Sequence, residues 1–333
     1  MEQKPTPERI FSTLNAYQQT AALCGAIELD LFTAIAEGAD TAPSAAARCK
    51  ASERGTRILC DYLTVGGLLV KAGSRYSLAP DAAQFLDRRS RSYIGGAVGF
   101  LNHPSFTRHF SDIAAAVRNG GTVAEGGTVE PDHPLWVDFA RSMAPLMVPP
   151  SEAIADLAAG GSEKLRVLDI AAGHGLFGIA IARRNPNAEI TALDWRSILA
   201  VAEENARAAG VADRYHLLAG SAFEVEFGGP YDVVLLTNIL HHFDAPACEG
   251  LLGKVHRALA SGGRAVTLEF VPNADRVSPP AAAAFAMMML GTTPAGDAYT
   301  FPEYDAMFRK AGFSRSEMRA LEMSPEQVIL SYK

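Results

Sequence analysis

Two adjacent histidines, His241 and His242, close the apolar run YDVVLLTNIL, and a single glutamate, Glu269, ends the apolar stretch RAVTLE. An imidazole whose far nitrogen is held by a carboxylate makes a general base, because the carboxylate fixes the tautomer and stabilises the cation that forms. With an ordinary pKa of about 6.5, such an imidazole is neutral near pH 7 and can take a proton from a weakly acidic group. His241 is the preferred base and His242 the alternative, with a place in the substrate pocket. A second group of residues suits a nucleotide. Asp169 heads the turn VLDIAAGHGLFG, which carries Gly173, Gly175 and Gly178 into a following helix. Glycines let the backbone approach a ligand, and the helix start offers unpaired N–H groups. Asp194 stands 25 residues after Asp169, in ALDW, where a carboxylate can accept both ribose hydroxyls.

Two cofactor classes fit such a turn. The spacing Gly173-x-Gly175-x-x-Gly178 admits a dinucleotide, but Asp169 at its head would repel a pyrophosphate. The same carboxylate suits the ammonium end of a methionine-type cofactor, so charge favours S-adenosylmethionine over NAD. Further along, in AGSAFE, Ser221 can bond the edge of adenine and Phe223 can cover its face, with Trp195 as another wall. Ala222 and Asn238 complete the expected cofactor set. His174 reads as a loop residue near the cofactor, and no carboxylate cluster suggests a metal site.

These groups need a scaffold that brings them to one edge. From Leu165 onward, short β-rich runs alternate with helical stretches, which predicts a parallel doubly wound sheet finished by an antiparallel edge. In such sheets the first and fourth strands are neighbours, so topology places His241 beside the glycine turn. Residues 8–118 read as helical, with an apolar stripe of Ile10, Leu14, Tyr17, Ala21 and Cys24 that must pack on something. Helices followed by the hairpin LVKAGSRYSLA resemble a winged helix. A helix from Leu135 to Met147 is expected to end at Pro149-Pro150, with another from about Glu152 to Ala159. The expected division is 1–118 helical and winged, 119–160 linker and connecting helices, and 161–333 catalytic.

Composition narrows the partners. The 333 residues carry a net charge of −7, and the first hundred hold 11 basic against 10 acidic residues, which speaks against nucleic acid or membrane binding by bulk charge. The remaining 233 carry −8, so the acidic excess lies with the expected binder of a cationic cofactor. Four dispersed cysteines without a CxxC pair and an N-terminus without an apolar leader fit a cytoplasmic protein.

On these residues the chain resembles the S-adenosylmethionine-dependent O-methyltransferases typified by plant caffeate and flavonoid enzymes and hydroxyindole O-methyltransferase. The family pattern D/E-x-G-x-G-x-G appears as Asp169-x-Ala171-x-Gly173-x-Gly175, with Ala171 replacing the first glycine in a backbone expected to be αR or β. The family's Gly-Asp pair near adenine appears as Gly220-Ser221. The resemblance implies an α/β chain with a Rossmann-like doubly wound methyltransferase sheet, preceded by a winged-helix-like domain that pairs two copies into a homodimer. It implies His241 as base, Glu269 as its partner and S-adenosylhomocysteine as product. The second glutamate of the plant enzymes, in G-x-E-R-T, falls at Ala298 in Gly296-Asp297-Ala298-Tyr299-Thr300, which leaves open another reaction on the same scaffold, such as C-methylation, decarboxylation, hydroxylation or pericyclic chemistry. A small aromatic substrate would rest on Phe139, Met143, Phe285, Met288 and Met289, with Asn102 and His103 reaching in from the first domain. A DNA-binding small-molecule sensor is the reading from another class.

Overall fold

The computed structural model describes residues 5–322 and 324–333. Its chain divides into two compact units between Asn102 and His103. The first unit contains helices α1 (Glu8–Leu14), α2 (Ala16–Glu28), α3 (Leu31–Ala36), α4 (Ala42–Arg48) and α5 (Glu53–Val65), the strands β1 (Leu69–Ala72) and β2 (Arg75–Leu78), then α6 (Pro80–Phe85) and α7 (Ala97–Leu101). Thr41 and Ser44 form a reciprocal cap at the start of α4, and β1 and β2 pair as an antiparallel hairpin around Gly73-Ser74. The core of this unit gathers Leu31, Phe32, Ile35, Cys60, Leu63, Leu69 and Tyr76. The stripe on α1 and α2 stays outside that core: Ile10, Leu14 and Tyr17 are each more than 60% exposed, with Phe11 close behind.

The second unit contains α8 (Pro104–Thr107), α9 (Ile113–Asn119), α10 (Leu135–Ala158), β3 (Leu165–Ile170), α11 (Leu176–Arg184), β4 (Ala188–Asp194), α12 (Arg196–Ala208), β5 (Tyr215–Ala219), β6 (Tyr231–Thr237), α13 (Ala245–Ala258), β7 (Leu259–Glu269), α14 (Pro280–Thr292), α15 (Phe301–Lys310), β8 (Arg315–Ala320) and β9 (Gln327–Tyr332). Seven strands form one sheet in the order β5-β4-β3-β6-β7-β9-β8. Strands β5, β4, β3, β6 and β7 run parallel, and β9 and β8 join antiparallel, as the sequence predicts. Both faces are covered: Val167, Val233 and Leu235 pack under α10, α11 and α12, while Leu168, Val234 and Leu236 pack under α13 and α15. Burial on both faces is why these strands read as nearly continuous apolar runs.

One expectation fails at α10. The helix runs unbroken through Pro145, Pro149 and Pro150, although each proline lacks an N–H and so removes a helix hydrogen bond. Tertiary packing overrides the local cost, because Pro150, Ser151, Ile154, Ala155 and Ala158 are buried, and Ile154, Ala155 and Ala158 share a core with Phe177, Ile179 and Ile181 of α11.

Candidate active site

Strand β3 delivers Asp169 at full burial, and the chain then turns into α11. Asp169 Oδ2 accepts the N–H of Gly178 at 3.1 Å, while its Oδ1 is buried without a partner. Burial pushes this carboxyl up to about 7, against the Gly178 N–H that pulls it down. The glycines serve different ends. A Cβ at Gly178 would stand 2.7 Å from Ile190 and 3.0 Å from Asp169 Oδ2, and one at Gly175 would stand 2.6 Å from the Tyr215 hydroxyl. Both are needed for packing of the turn on the sheet. Gly173, at φ +57°, has no such close neighbour, so there the backbone itself is open to approach. Ala171 is also left-handed, at φ +55°, which corrects the expected αR or β backbone. The turn requires the conformation that glycine adopts freely, and alanine holds it at a cost.

Asp194 ends β4 beside this turn. Its Oδ2 accepts the N–H of Gly173 at 2.8 Å and its Oδ1 that of Trp195 at 2.7 Å, so it ties the glycine turn to the next strand end. Burial raises it to about 6. His174 Nδ1 accepts the Leu176 N–H at 3.2 Å, which makes it a turn residue, and burial lowers it to about 4. Trp195 packs against the buried cluster of Ala140, Ile198 and Val201. After β5, Ser221 Oγ accepts the Phe223 N–H, and Phe223 is 39% exposed with its ring 4.8 Å from that of Phe243. Phe223 is therefore outside the core. The ammonium of Lys254 donates to the carbonyls of Ala222, Phe223 and Val225, pinning this loop. Asn238, left-handed at φ +57°, follows β6 and keeps a buried, unpartnered Oδ1.

His241 lies on a short 3₁₀ turn, Leu240–His242, just beyond β6. Because β6 and β7 run parallel side by side, Glu269 at the end of β7 reaches it: His241 Nδ1 and Glu269 Oε2 are 2.5 Å apart, both side chains being almost wholly buried. Glu269 Oε1 accepts the N–H of Leu240 at 2.9 Å. Burial drives the imidazole below its ordinary value and the carboxyl above its own, so the dry site disfavours charge on either partner. The turn is clamped from other elements as well. The Asp297 N–H donates to the His241 carbonyl at 3.0 Å, the Tyr299 hydroxyl to that of Phe243, and the Cys248 thiol to that of Leu240. A Cβ at Gly296 would meet the His241 carbonyl at 2.3 Å.

Around the imidazole the structure gathers aromatic rings. Phe285 stands edge-on to His241 at 4.8 Å and stacks on Phe270 at 3.9 Å. His242 lies 4.3 Å from His241 and 5.2 Å from Trp136, which in turn meets Phe139 at 5.4 Å. Met143 and Met288 are half-buried, whereas Met289 is buried on α14. Asn102 caps α7 in the first unit and His103 opens the second. Ala298 is fully buried, and Asp297 turns to Arg276 and to its own neighbour's N–H, so no carboxylate stands in for the missing glutamate at that segment. Sequence reasoning missed Trp136, Phe270 and the clamp at Gly296-Asp297. Trp136 carried one usable signal, an aromatic opening an apolar helix. Among the described residues, no group of three or more His, Cys, Asp or Glu is arranged to hold a metal, and no helix is long and apolar enough to cross a membrane.

Comparison with known proteins gives a consistent picture. Residues 156–314 match the O-methyltransferase domain family and residues 11–88 the O-methyltransferase dimerisation domain family. The chain is 30% identical over 309 residues to 3-hydroxy-5-methyl-1-naphthoate 3-O-methyltransferase of Streptomyces sahachiroi, covering 89% of this chain and 86% of that one. The crystal structure of a candidate O-methyltransferase from Nostoc punctiforme superposes with a TM-score of 0.96 at 52% identity, over 99% of this chain and 100% of that one. Human N-acetylserotonin methyltransferase, solved with S-adenosylmethionine, shares the fold at 20% identity and a TM-score of 0.83, over 100% and 99%.

Proposed function

Because the chain belongs to the O-methyltransferase family, we propose that it methylates a hydroxyl of a small aromatic compound with His241 as general base. The observation that carries this reading is the buried 2.5 Å contact between His241 Nδ1 and Glu269. With Nδ1 engaged, Nε2 is the ring nitrogen left to take a proton. Glu269, itself held by the Leu240 N–H, orients the ring and stabilises the imidazolium that forms. Phe285, Phe270, Phe139 and Trp136 offer flat surfaces to a ring, and the naphthoate chemistry of the Streptomyces relative agrees with a phenolic acceptor.

The cofactor reading rests on what the turn leaves unsatisfied. Asp169 Oδ1 and Asn238 Oδ1 are buried acceptors without donors, and Gly173 leaves room for a ligand, which suits a group bearing positive charge. Asp169, Ala171, Gly173, Gly175, Asp194, Trp195, Ser221, Ala222, Phe223 and Asn238 would hold S-adenosylmethionine. When bound, that cofactor supplies a methyl carbon on a cationic sulfur. The exposed stripe of Ile10, Phe11, Leu14 and Tyr17 suits pairing of two copies, in keeping with the dimerisation family match, and the four unpaired cysteines accord with a reducing cytoplasm. The test is mass spectrometry of a hydroxylated aromatic panel incubated with methyl-labelled S-adenosylmethionine. A labelled methyl ether is the expected product; label found on carbon, or none on any acceptor, refutes the reading. The absence of a second carboxylate at Ala298 keeps one rival, another S-adenosylmethionine-dependent reaction on this scaffold, and the position of the label separates the two.

A further inference from the structure

Besides Asp169, Asp194 and Glu269, a further buried acid, Glu326, lies at the active edge. Strand β9 runs antiparallel to β7 with Gln327 opposite Glu269, so Glu326 sits just past the C-terminal end of β7, on the edge where the parallel strands end. Glu326 is 2% exposed. Its Oε2 accepts the Ser324 hydroxyl at 3.3 Å, and the Asn238 side chain is its other polar neighbour. The neighbouring polar side chain is Asn238, which interacts with the Glu326 carboxyl, keeps its own Oδ1 unpartnered and has its Nδ2 only 4.0 Å from the weak acceptor Met147 Sδ. Burial, together with the nearby Glu269 charge, pushes Glu326 up to about 7. A buried carboxyl whose neighbour amide keeps a bare Oδ1 gains little for the fold, since apolar side chains would fill the space without desolvating a carboxyl. The arrangement becomes favourable when a positive group arrives.

We propose that Glu326 is a positioning residue that, with Asn238, presents negative potential to the sulfonium of the cofactor. The proposal rests on the cofactor reading above. Asn238 stands three residues before His241 and directly follows β6, which lies beside the strand carrying Asp169, so the pair flanks the place where the methyl group must lie between cofactor pocket and base. Glu326 need not touch the cofactor to act, because a charge in a dry site is felt through several ångströms. Asn238 links the two, its amide oriented by the carboxyl and its carbonyl oxygen left free to face the donor.

The experiment is calorimetric binding of S-adenosylmethionine and S-adenosylhomocysteine to the full chain. The two ligands share adenosine and ammonium and differ in the charged methylsulfonium. In Glu326→Gln the Kd of S-adenosylmethionine should rise about tenfold while that of S-adenosylhomocysteine stays within about twofold. Asn238→Gly, which suits the left-handed backbone there, should show the same selective loss, and the double variant should add little to it. A merely structural role would weaken both ligands alike. Equal weakening, or an unchanged ratio in both variants, overturns the proposal. If the unmodified protein binds neither ligand, the cofactor reading falls and this inference falls with it. If Glu326→Gln does not fold, Asn238→Gly decides the matter by the same ratio.

Discussion

At the scale of single residues, the proposed chemistry turns on the buried contact between His241 Nδ1 and Glu269. Glutamine at position 269 would keep the shape but could no longer stabilise an imidazolium, so Glu269→Gln should lower turnover by about 10²–10⁴ with S-adenosylmethionine binding retained. Steady-state kinetics beside calorimetry check this. The pH dependence follows from the same burial. On the proposed mechanism His241 must be neutral to act, and burial depresses its folded-state pKa, so activity should persist as pH falls below the ordinary imidazole value and be lost only at lower pH. The acid limb of kcat/KM is therefore expected well below about 6.5. A limb at or above that value would contradict a buried neutral imidazole.

Among elements, the glycine turn between β3 and α11 is the most exacting. Ala171 holds a left-handed φ of +55°, so Ala171→Gly should stabilise the protein by about 0.5–1 kcal/mol, the relief of strain outweighing the added chain entropy. Gly178→Ala should destabilise it by about 1–3 kcal/mol, because the new methyl meets Ile190 and Asp169. Denaturant titration measures both. The same turn shows how far the sequence could be read. Strand-helix alternation and runs such as YDVVLL made the sheet legible, since burial on both faces leaves a continuous apolar signature. His241 and Glu269 were legible because each closes such a run on neighbouring strands. The left-handed state of Ala171 was not, because backbone handedness is set by the turn's closure on Asp194 rather than by alanine itself. The continuity of α10 was hidden for a similar reason: local proline chemistry points to a break, and only packing on α11 outweighs it. Glu326 gave no signal, as its burial depends on an antiparallel strand returning to the active edge.

For the whole molecule, buried acids govern stability. Asp169, Asp194, Glu269 and Glu326 have folded pKa values raised by burial to about 7, 6, 8 and 7, so each contributes stability that is present at low pH and lost as pH rises through those values. Buried histidines oppose this trend in acid: His174, lowered to about 4, contributes stability above the ordinary imidazole value that is lost as pH falls toward 4. Above about 7.5 the histidines are neutral in both states and drop out. The melting temperature of the ligand-free protein should therefore fall between about pH 6.5 and 8, and S-adenosylmethionine should reduce that fall by compensating the carboxylates. Differential scanning calorimetry across that range reads it directly. The exposed stripe on α1 and α2 gives a second expectation: Ile10→Glu with Leu14→Glu should yield monomers by sedimentation while the second unit still binds cofactor. The central claim is that His241 removes the acceptor proton, and it is tested most directly by single-turnover kinetics of His241→Asn on a phenol that the unmodified enzyme methylates, at saturating S-adenosylmethionine. The account predicts a rate lower by about 10²–10⁴ with cofactor affinity near normal; an unchanged rate of methyl ether formation would contradict it.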